Sequence, residues 1–116
     1  MRRAERGPQA DGEQRARVLR LIESGKRQGA RLVAGGERTG HVGYFVQPTM
    51  FCDVGDHMDI ARRELFGPVR QIMKFSQIDD LLECANDTHY DLVATNFTGD
   101  LDRANYFTQG LRAGTV

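Results

Sequence analysis

The sequence has no long apolar run. Nowhere do its 116 residues approach the roughly 20 consecutive hydrophobic positions of a membrane-spanning helix, so no membrane partner is expected. It has no surplus of either charge, because 16 basic residues balance 16 acidic ones. Binding nucleic acid through a dominant basic field requires a surplus, so no nucleic-acid partner is expected either. Cysteine is scarce: Cys52 and Cys84 are too few and too far apart for a metal site or a disulfide framework, and a reducing compartment fits. Lysine is nearly absent, with Lys26 and Lys74 set against 14 arginines spread along the chain, which reads as a compositional bias, not a binding patch. There is no internal repeat and no low-complexity tract.

What remains is ordinary globular material, 40% hydrophobic and 28% charged, enough for one modest core. The first residues, Met1-Arg2-Arg3-Ala4-Glu5-Arg6-Gly7-Pro8, carry three arginines as a mitochondrial presequence does. Glu5 and the Gly7-Pro8 break argue against that reading, and a flexible charged start over residues 1–9 is expected. No targeting signal is visible.

Apolar periodicity predicts a helix from about Asp11 to Lys26, with Asp11 as its cap, Gln14 as the capping-box partner and Val18, Leu21, Ile22 and Gly25 on one face. Strands are expected at Arg31–Ala34 and Tyr44–Cys52, the second limited by Pro48, with Glu37–Gly43 as a surface loop between them. Pro68–Phe75 alternates, placing Val69, Gln71, Met73 and Phe75 on one face. Ser76 is expected to cap a helix striped by Ile78, Leu81, Leu82 and Ala85 and ended by Asn86-Asp87. A strand at Leu92–Phe97 follows. Asp100 then caps a helix facing inward with Leu101, Ala104, Phe107 and Leu111, and a last strand begins at Ala113–Val116. Strand, helix, strand, helix, strand implies an α/β fold with a parallel sheet and βαβ crossovers.

The sharpest chemical feature is Glu64-Leu65-Phe66-Gly67-Pro68, just before a strand. Open α/β sheets bind ligands in loops at strand ends. A carboxylate there accepts two hydrogen bonds from a vicinal diol such as a ribose, and an aromatic walls a flat ring. A solvated glutamate and a core phenylalanine at a turn is the plainer alternative. Cys84 lies beside an apolar helical stripe, and Cys52 adjoins Asp53, whose charge opposes thiolate formation; both read as structural. His41, His57 and His89 have no ligand spacing to one another, and Gly35-Gly36 lacks a phosphate-loop pattern, so no metal is expected.

Several segments in order carry more than any one of them. Gly7-Pro8-Gln9 opens the chain; Ile22–Gly36 reads IESGKRQGARLVAGG, Gly43–Phe51 GYFVQPTMF, Asp59–Val69 DIARRELFGPV and Gln71–Phe75 QIMKF. Ala85-Asn86, Tyr90, Leu92, Asn96-Phe97-Thr98, Asp100–Tyr106 (DLDRANY) and Ala113-Gly114-Thr115-Val116 follow. From Gly7 onward this resembles the aldehyde dehydrogenase family, and most closely its mitochondrial and cytosolic branch acting on acetaldehyde and retinal-type substrates.

The resemblance implies oxidation of aldehydes to carboxylic acids in the intact enzyme, with NAD, or NADP, as cofactor, and a cytoplasmic or mitochondrial location. It implies that Glu64 holds the nicotinamide ribose hydroxyls and that Phe66 contacts the nicotinamide end. It further implies that Gln14 and Arg17, three residues apart on one helix, face the cofactor; Arg17 stands where lysine is usual in that branch. The family's nucleophile stretch, roughly F-x-N-x-G-Q-x-C, does not occur here, nor does the E-L-G-G-K segment with the general base. No catalytic residue is therefore assigned. Residues 1–116 are expected to be an internal slice of the catalytic domain, inactive alone. Tyr90-Asp91-Leu92 departs from the family's Tyr-Gly-Leu, and an aspartate with positive φ there is strained by roughly 1 kcal/mol or more. A non-catalytic chain that associates with full-length subunits, or a small ligand-binding module, are the alternative readings.

Overall fold

The computed structural model describes residues 6–116. The residues before them, which include most of the arginine-rich start and its presequence question, lie outside the described residues. The chain divides into two compact units, Met1–Lys74 and Phe75–Val116.

In the first unit, helix α1 spans Gly12–Arg27. Asp11 is extended and its Oδ1 accepts the Gln14 amide at 2.8 Å, as the sequence predicts. Gln14 does not complete a capping box; its side chain reaches elsewhere. Glu13 in the first turn and Lys26 and Arg27 in the last complement the helix dipole. Val18 and Ile22 are fully buried. Gly25 lets a second helix come close, because a Cβ there would lie 2.8 Å from Ile60 Cδ1.

Strand β1 is Arg31–Ala34 and β2 is Thr49–Cys52; they pair antiparallel, Leu32 opposite Phe51. The expected second strand is therefore shorter than Tyr44–Cys52. Its start lies beyond Pro48, and only an isolated bridge between Arg38 and Val46 extends the pairing toward the exposed loop. Gly35, at φ 69°, turns the chain past Pro48: a Cβ there would sit 2.2 Å from the Pro48 carbonyl oxygen. Short helix α2, Asp59–Arg62, leads to β3, Val69–Gln71, which pairs parallel to β2 with Phe51 opposite Gln71. The fold is α/β as expected, with a small sheet that is mixed: hairpin geometry makes its first pair antiparallel and the α2 connection makes its second parallel. Phe51 is fully buried at the centre of this core, with Val18, Ile22 and Ile60 around it. The expected alternation holds for Val69, Gln71 and Met73, but regular pairing ends early and Phe75 is exposed.

An ionic cluster braces the sheet. The Asp53 carboxylate accepts Arg31 Nε at 2.8 Å and lies 3.2 Å from Lys74 Nζ. These donors hold its carboxyl below the ordinary aspartate range, Arg31 first and Lys74 second, and the same contact raises Arg31.

In the second unit, α3 spans Ile78–Asn86 and α4 spans Leu101–Gly110. Asp100 caps α4 by accepting the Arg103 amide at 3.1 Å. At α3 the expected Ser76 cap fails: the cap position is Gln77, and no side chain bonds there. Leu101 is exposed, not inward. The expected strand at Leu92–Phe97 amounts to one parallel bridge, Val93 to Thr115, with the Ala94 amide donating to the Thr115 carbonyl. Asn86 joins the helices by donating to the Gly110 carbonyl and accepting the Arg112 amide. The Tyr106 hydroxyl donates to Asp79, and that hydrogen bond, with lesser help from desolvation and the Asp79 charge, holds the phenol above its ordinary range. Asp91 takes φ 43°, the left-handed conformation expected of its position. None of Phe75–Val116 is buried, so this unit has no closed core of its own.

Gly35→Ala should destabilise the chain by at least about 1–3 kcal/mol, through positive φ and collision with Pro48. Gly29→Ala, at φ 97° with open space around it, should cause only the backbone part of that loss. Urea unfolding followed by helical circular dichroism ranks the two; equal losses would remove the collision from the account. Asp53 contributes stability that is present above its unfolded pKa and disappears as pH falls through its lower native value. Asp53→Asn should flatten the acid limb of a stability-against-pH curve in that window, while adding salt weakens the wild-type effect.

Candidate functional site

The Glu64-Leu65-Phe66-Gly67-Pro68 turn follows α2 and enters β3. Leu65 and Pro68 are buried and hold the turn down. Gly67 allows contact with α1, since a Cβ there would lie 2.8 Å from Val18 Cγ2. Between the anchored residues, Glu64 is exposed and Phe66 is 74% exposed. The plainer expectation of a core phenylalanine is thus corrected: the ring stands outward while Leu65 supplies the core contact. Phe66 has φ 41°, a left-handed backbone that is rare for a bulky side chain and strained by about 1–3 kcal/mol.

Two side chains of α1 reach this turn across a long stretch of sequence. Gln14 Nε2 donates to the Phe66 carbonyl at 3.0 Å, and Arg17 Nη2 donates to the Glu64 carbonyl at 3.1 Å. All four sequence-selected residues, Gln14, Arg17, Glu64 and Phe66, therefore meet in one place. A groove of about 450 Å³ lies alongside, with Gln9, Asp11, Gln14, Phe66 and Gly67 in its wall. A smaller recess of about 210 Å³ runs along α1 past Gln14, Arg17 and Arg20. The main groove is of a size that holds part of a nucleotide. An exposed carboxylate and an exposed ring on one turn offer acceptors for a diol and a flat apolar wall.

Residues outside the sequence reading support this arrangement. Ser24 Oγ donates to Asp59 Oδ2 at 2.8 Å, the Gln28 side chain accepts the Asp59 amide at 2.9 Å, and Gln71 Nε2 donates to the Ile60 carbonyl at 2.7 Å. They hold α2, the element immediately before the turn. Four-residue helices leave too short a periodic signal to be read from sequence, and no spacing rule connects Ser24 to Asp59. Gln9 donates its amide to the Tyr44 carbonyl, and the Arg15 guanidinium lies 5.5 Å from the Tyr44 ring centroid while donating to the Gly43 carbonyl.

Among the described residues no group of three or more His, Cys, Asp or Glu could hold a metal ion, and no helix is long and apolar enough to cross a membrane. Cys52 and Cys84 are half-buried and not joined in a disulfide. The second unit has its own apolar groove of about 540 Å³, between Ile78 and Leu81 of α3 and Phe107 of α4, with Phe97 at its edge. None of the four sequence-selected residues lines it.

The family model described as "Aldehyde dehydrogenase family" matches residues 2–116. Cytosolic aldehyde dehydrogenase 1 of Rattus norvegicus is 57% identical over 110 residues, 95% of this chain and 22% of that protein. Aldehyde dehydrogenase 1A1 of Gallus gallus is 54% identical over 112 residues, 97% of this chain and 22% of its own length. Among solved structures, the NAD+ complex of an aldehyde dehydrogenase from Bacillus cereus has a TM-score of 0.92 at 42% identity, covering 97% of this chain and 23% of that one. The NAD+ complex of the Mycobacterium tuberculosis enzyme gives 0.90 at 40% identity over 97% of this chain and 24% of its own. The chain spans less than a quarter of the length of these relatives. Matched along almost its whole length by sequence and by structure, the chain belongs to the aldehyde dehydrogenase family.

Proposed function

We propose that this chain is part of the catalytic domain of an NAD-dependent aldehyde dehydrogenase and supplies the wall that receives the nicotinamide end of the cofactor. The observation that carries this reading is the convergence of Gln14 and Arg17 on the Glu64–Phe66 turn. There the exposed Phe66 ring borders a groove, and Glu64, two residues before it, is exposed as well. The NAD+ complexes of structural relatives support NAD over NADP. The rat relative's name supports a cytosolic setting.

Bound there, the dinucleotide would supply the hydride acceptor for aldehyde oxidation. Glu64 would accept hydrogen bonds from the ribose hydroxyls; charge-assisted bonds of this kind contribute about 1.5–3 kcal/mol each when shielded from water. Phe66 would give the nicotinamide end an apolar wall. Gln14 lines the groove beside Phe66, and Arg17 lines the adjoining recess along α1. The nucleophile and the general base belong to motifs absent from this sequence, so the chain by itself does not turn over aldehyde. A second reading, association with full-length subunits, is favoured by the unburied second unit and its apolar groove. Sedimentation of the chain mixed with a full-length subunit distinguishes them: a complex supports association, and independent boundaries reject it.

The purified chain should give no NAD-dependent oxidation of acetaldehyde above a buffer control; turnover that persists after full-length enzyme is removed by immunodepletion would refute this. When this segment replaces its counterpart in a full-length family member, Glu64→Gln should slow hydride transfer about tenfold or more by misplacing the ring. Single-turnover absorbance of the reduced cofactor measures the step. Unchanged hydride transfer and unchanged NAD+ affinity would leave the motif as a turn only, and a preference for NADP+ would overturn the cofactor assignment.

A further inference from the structure

Helix α1 and the segment from Asp59 to Phe66 are joined in reverse order along their lengths. Gln28 and Ser24, near the end of α1, hold Asp59. Arg17, two turns earlier, holds the Glu64 carbonyl, and Gln14, one turn earlier still, holds the Phe66 carbonyl. Between these polar ends the contact is apolar, with Gly25 against Ile60 and Val18 against Gly67. At a rise of about 1.5 Å per residue, α1 acts as a straight edge roughly 21 Å long against which the segment is set.

The two bonds nearest the groove engage backbone carbonyls. Both carbonyls accept from α1, while the side chains of the same residues are exposed. Phe66 needs such restraint, because its φ of 41° is unfavourable and the turn would relax toward extended backbone without it. Released, the turn would no longer fix where the exposed Glu64 and Phe66 side chains stand.

We infer that Gln14 and Arg17 are positioning residues: by donating to the Phe66 and Glu64 carbonyls they lock the turn, before any cofactor arrives, in the strained conformation that presents the carboxylate and the ring together. This rests on the proposed function for what Glu64 and Phe66 meet, but the lock itself is a property of the cofactor-free chain. Each donor group spends one N–H on the lock, and the guanidinium and amide retain others for a ligand.

Proteolysis reads the lock directly. A protease binds its substrate in extended form, so cleavage after Phe66 requires the left-handed turn to open, although its ring is already exposed. Chymotrypsin digestion of the 116-residue chain without cofactor, followed by mass spectrometry, measures the rate of that one cut. Gln14→Glu keeps the size and removes the donor; Arg17→Ala removes the other. Each should speed cleavage after Phe66 about fivefold, the effect of one hydrogen bond on an opening equilibrium. Arg17→Lys, which retains a donor, should stay close to wild type. Cleavage after the fully buried Phe51 should not change, which separates local release from general unfolding. Unchanged cleavage at Phe66 in both donor-less variants would overturn the inference. So would a parallel rise at Phe51, or failure of Arg17→Lys to preserve protection. Adding NAD+ to a full-length family member carrying this segment examines the proposed function separately: no protection of Phe66 there counts against that reading, while the comparison among cofactor-free variants of the chain still decides the lock.

Discussion

The close seating of α1 against the Ile60–Gly67 segment is the contact from which the rest of the first unit follows. Val18 and Ile22 present a fully buried face, and two glycines, Gly25 on the helix and Gly67 on the turn, remove the side chains that would hold the surfaces apart. Burying two such aliphatic side chains stabilises by about 1.5–3 kcal/mol each, enough to hold a turn containing one strained residue. With the helix in place, its polar residues before and after the apolar stripe reach backbone groups that would otherwise face water. Sheet order follows as well: α2 and the turn form the connection that returns the chain parallel to β2.

The chemistry is set by which atoms this seating uses. Anchoring through Leu65, Pro68 and the two carbonyls leaves the Glu64 carboxylate and the Phe66 ring exposed. The strain at Phe66 belongs to that arrangement, since a relaxed turn would direct the ring elsewhere. The Asp53 cluster is a different case. Its Arg31 and Lys74 partners perturb it, yet it is exposed and remote in role, so it braces strand ends and carries no reaction.

The second unit shows what local preference achieves without burial. Asp100 caps its helix through a bond to a residue three positions on, while Asn86, at the end of α3, adds two bonds to the end of α4, to residues 24 and 26 positions away. The strand expected at Leu92–Phe97 has the right composition but only one bridge, to Thr115. A parallel strand draws its stability from neighbours on both edges and cover on both faces, and a sequence pattern cannot supply them. Leu101, placed on the helical stripe, is exposed for the same reason.

Much of the site was legible in sequence because its determinants are local. Asp11 before an apolar helical period marks the start of α1, and a carboxylate, an aromatic and Gly-Pro in five residues mark a turn with exposed chemistry. The ordered motifs identified the family, and the resemblance singled out Gln14 and Arg17 with Glu64 and Phe66 as candidate cofactor contacts. Tertiary structure alone decided how these residues meet. Gln14 turned from its own cap to the carbonyl of a residue 52 positions away, and Arg17 to one 47 away. It also made the first strand pair antiparallel, shortened the expected strands at Tyr44–Cys52 and Pro68–Phe75, and reduced those at Leu92–Phe97 and Ala113–Val116 to one bridge. The physical reason is range: caps and turns depend on neighbours within a few residues, whereas strand direction, side-chain exposure and contacts between α1 and the turn depend on surfaces that exist only once the chain has folded.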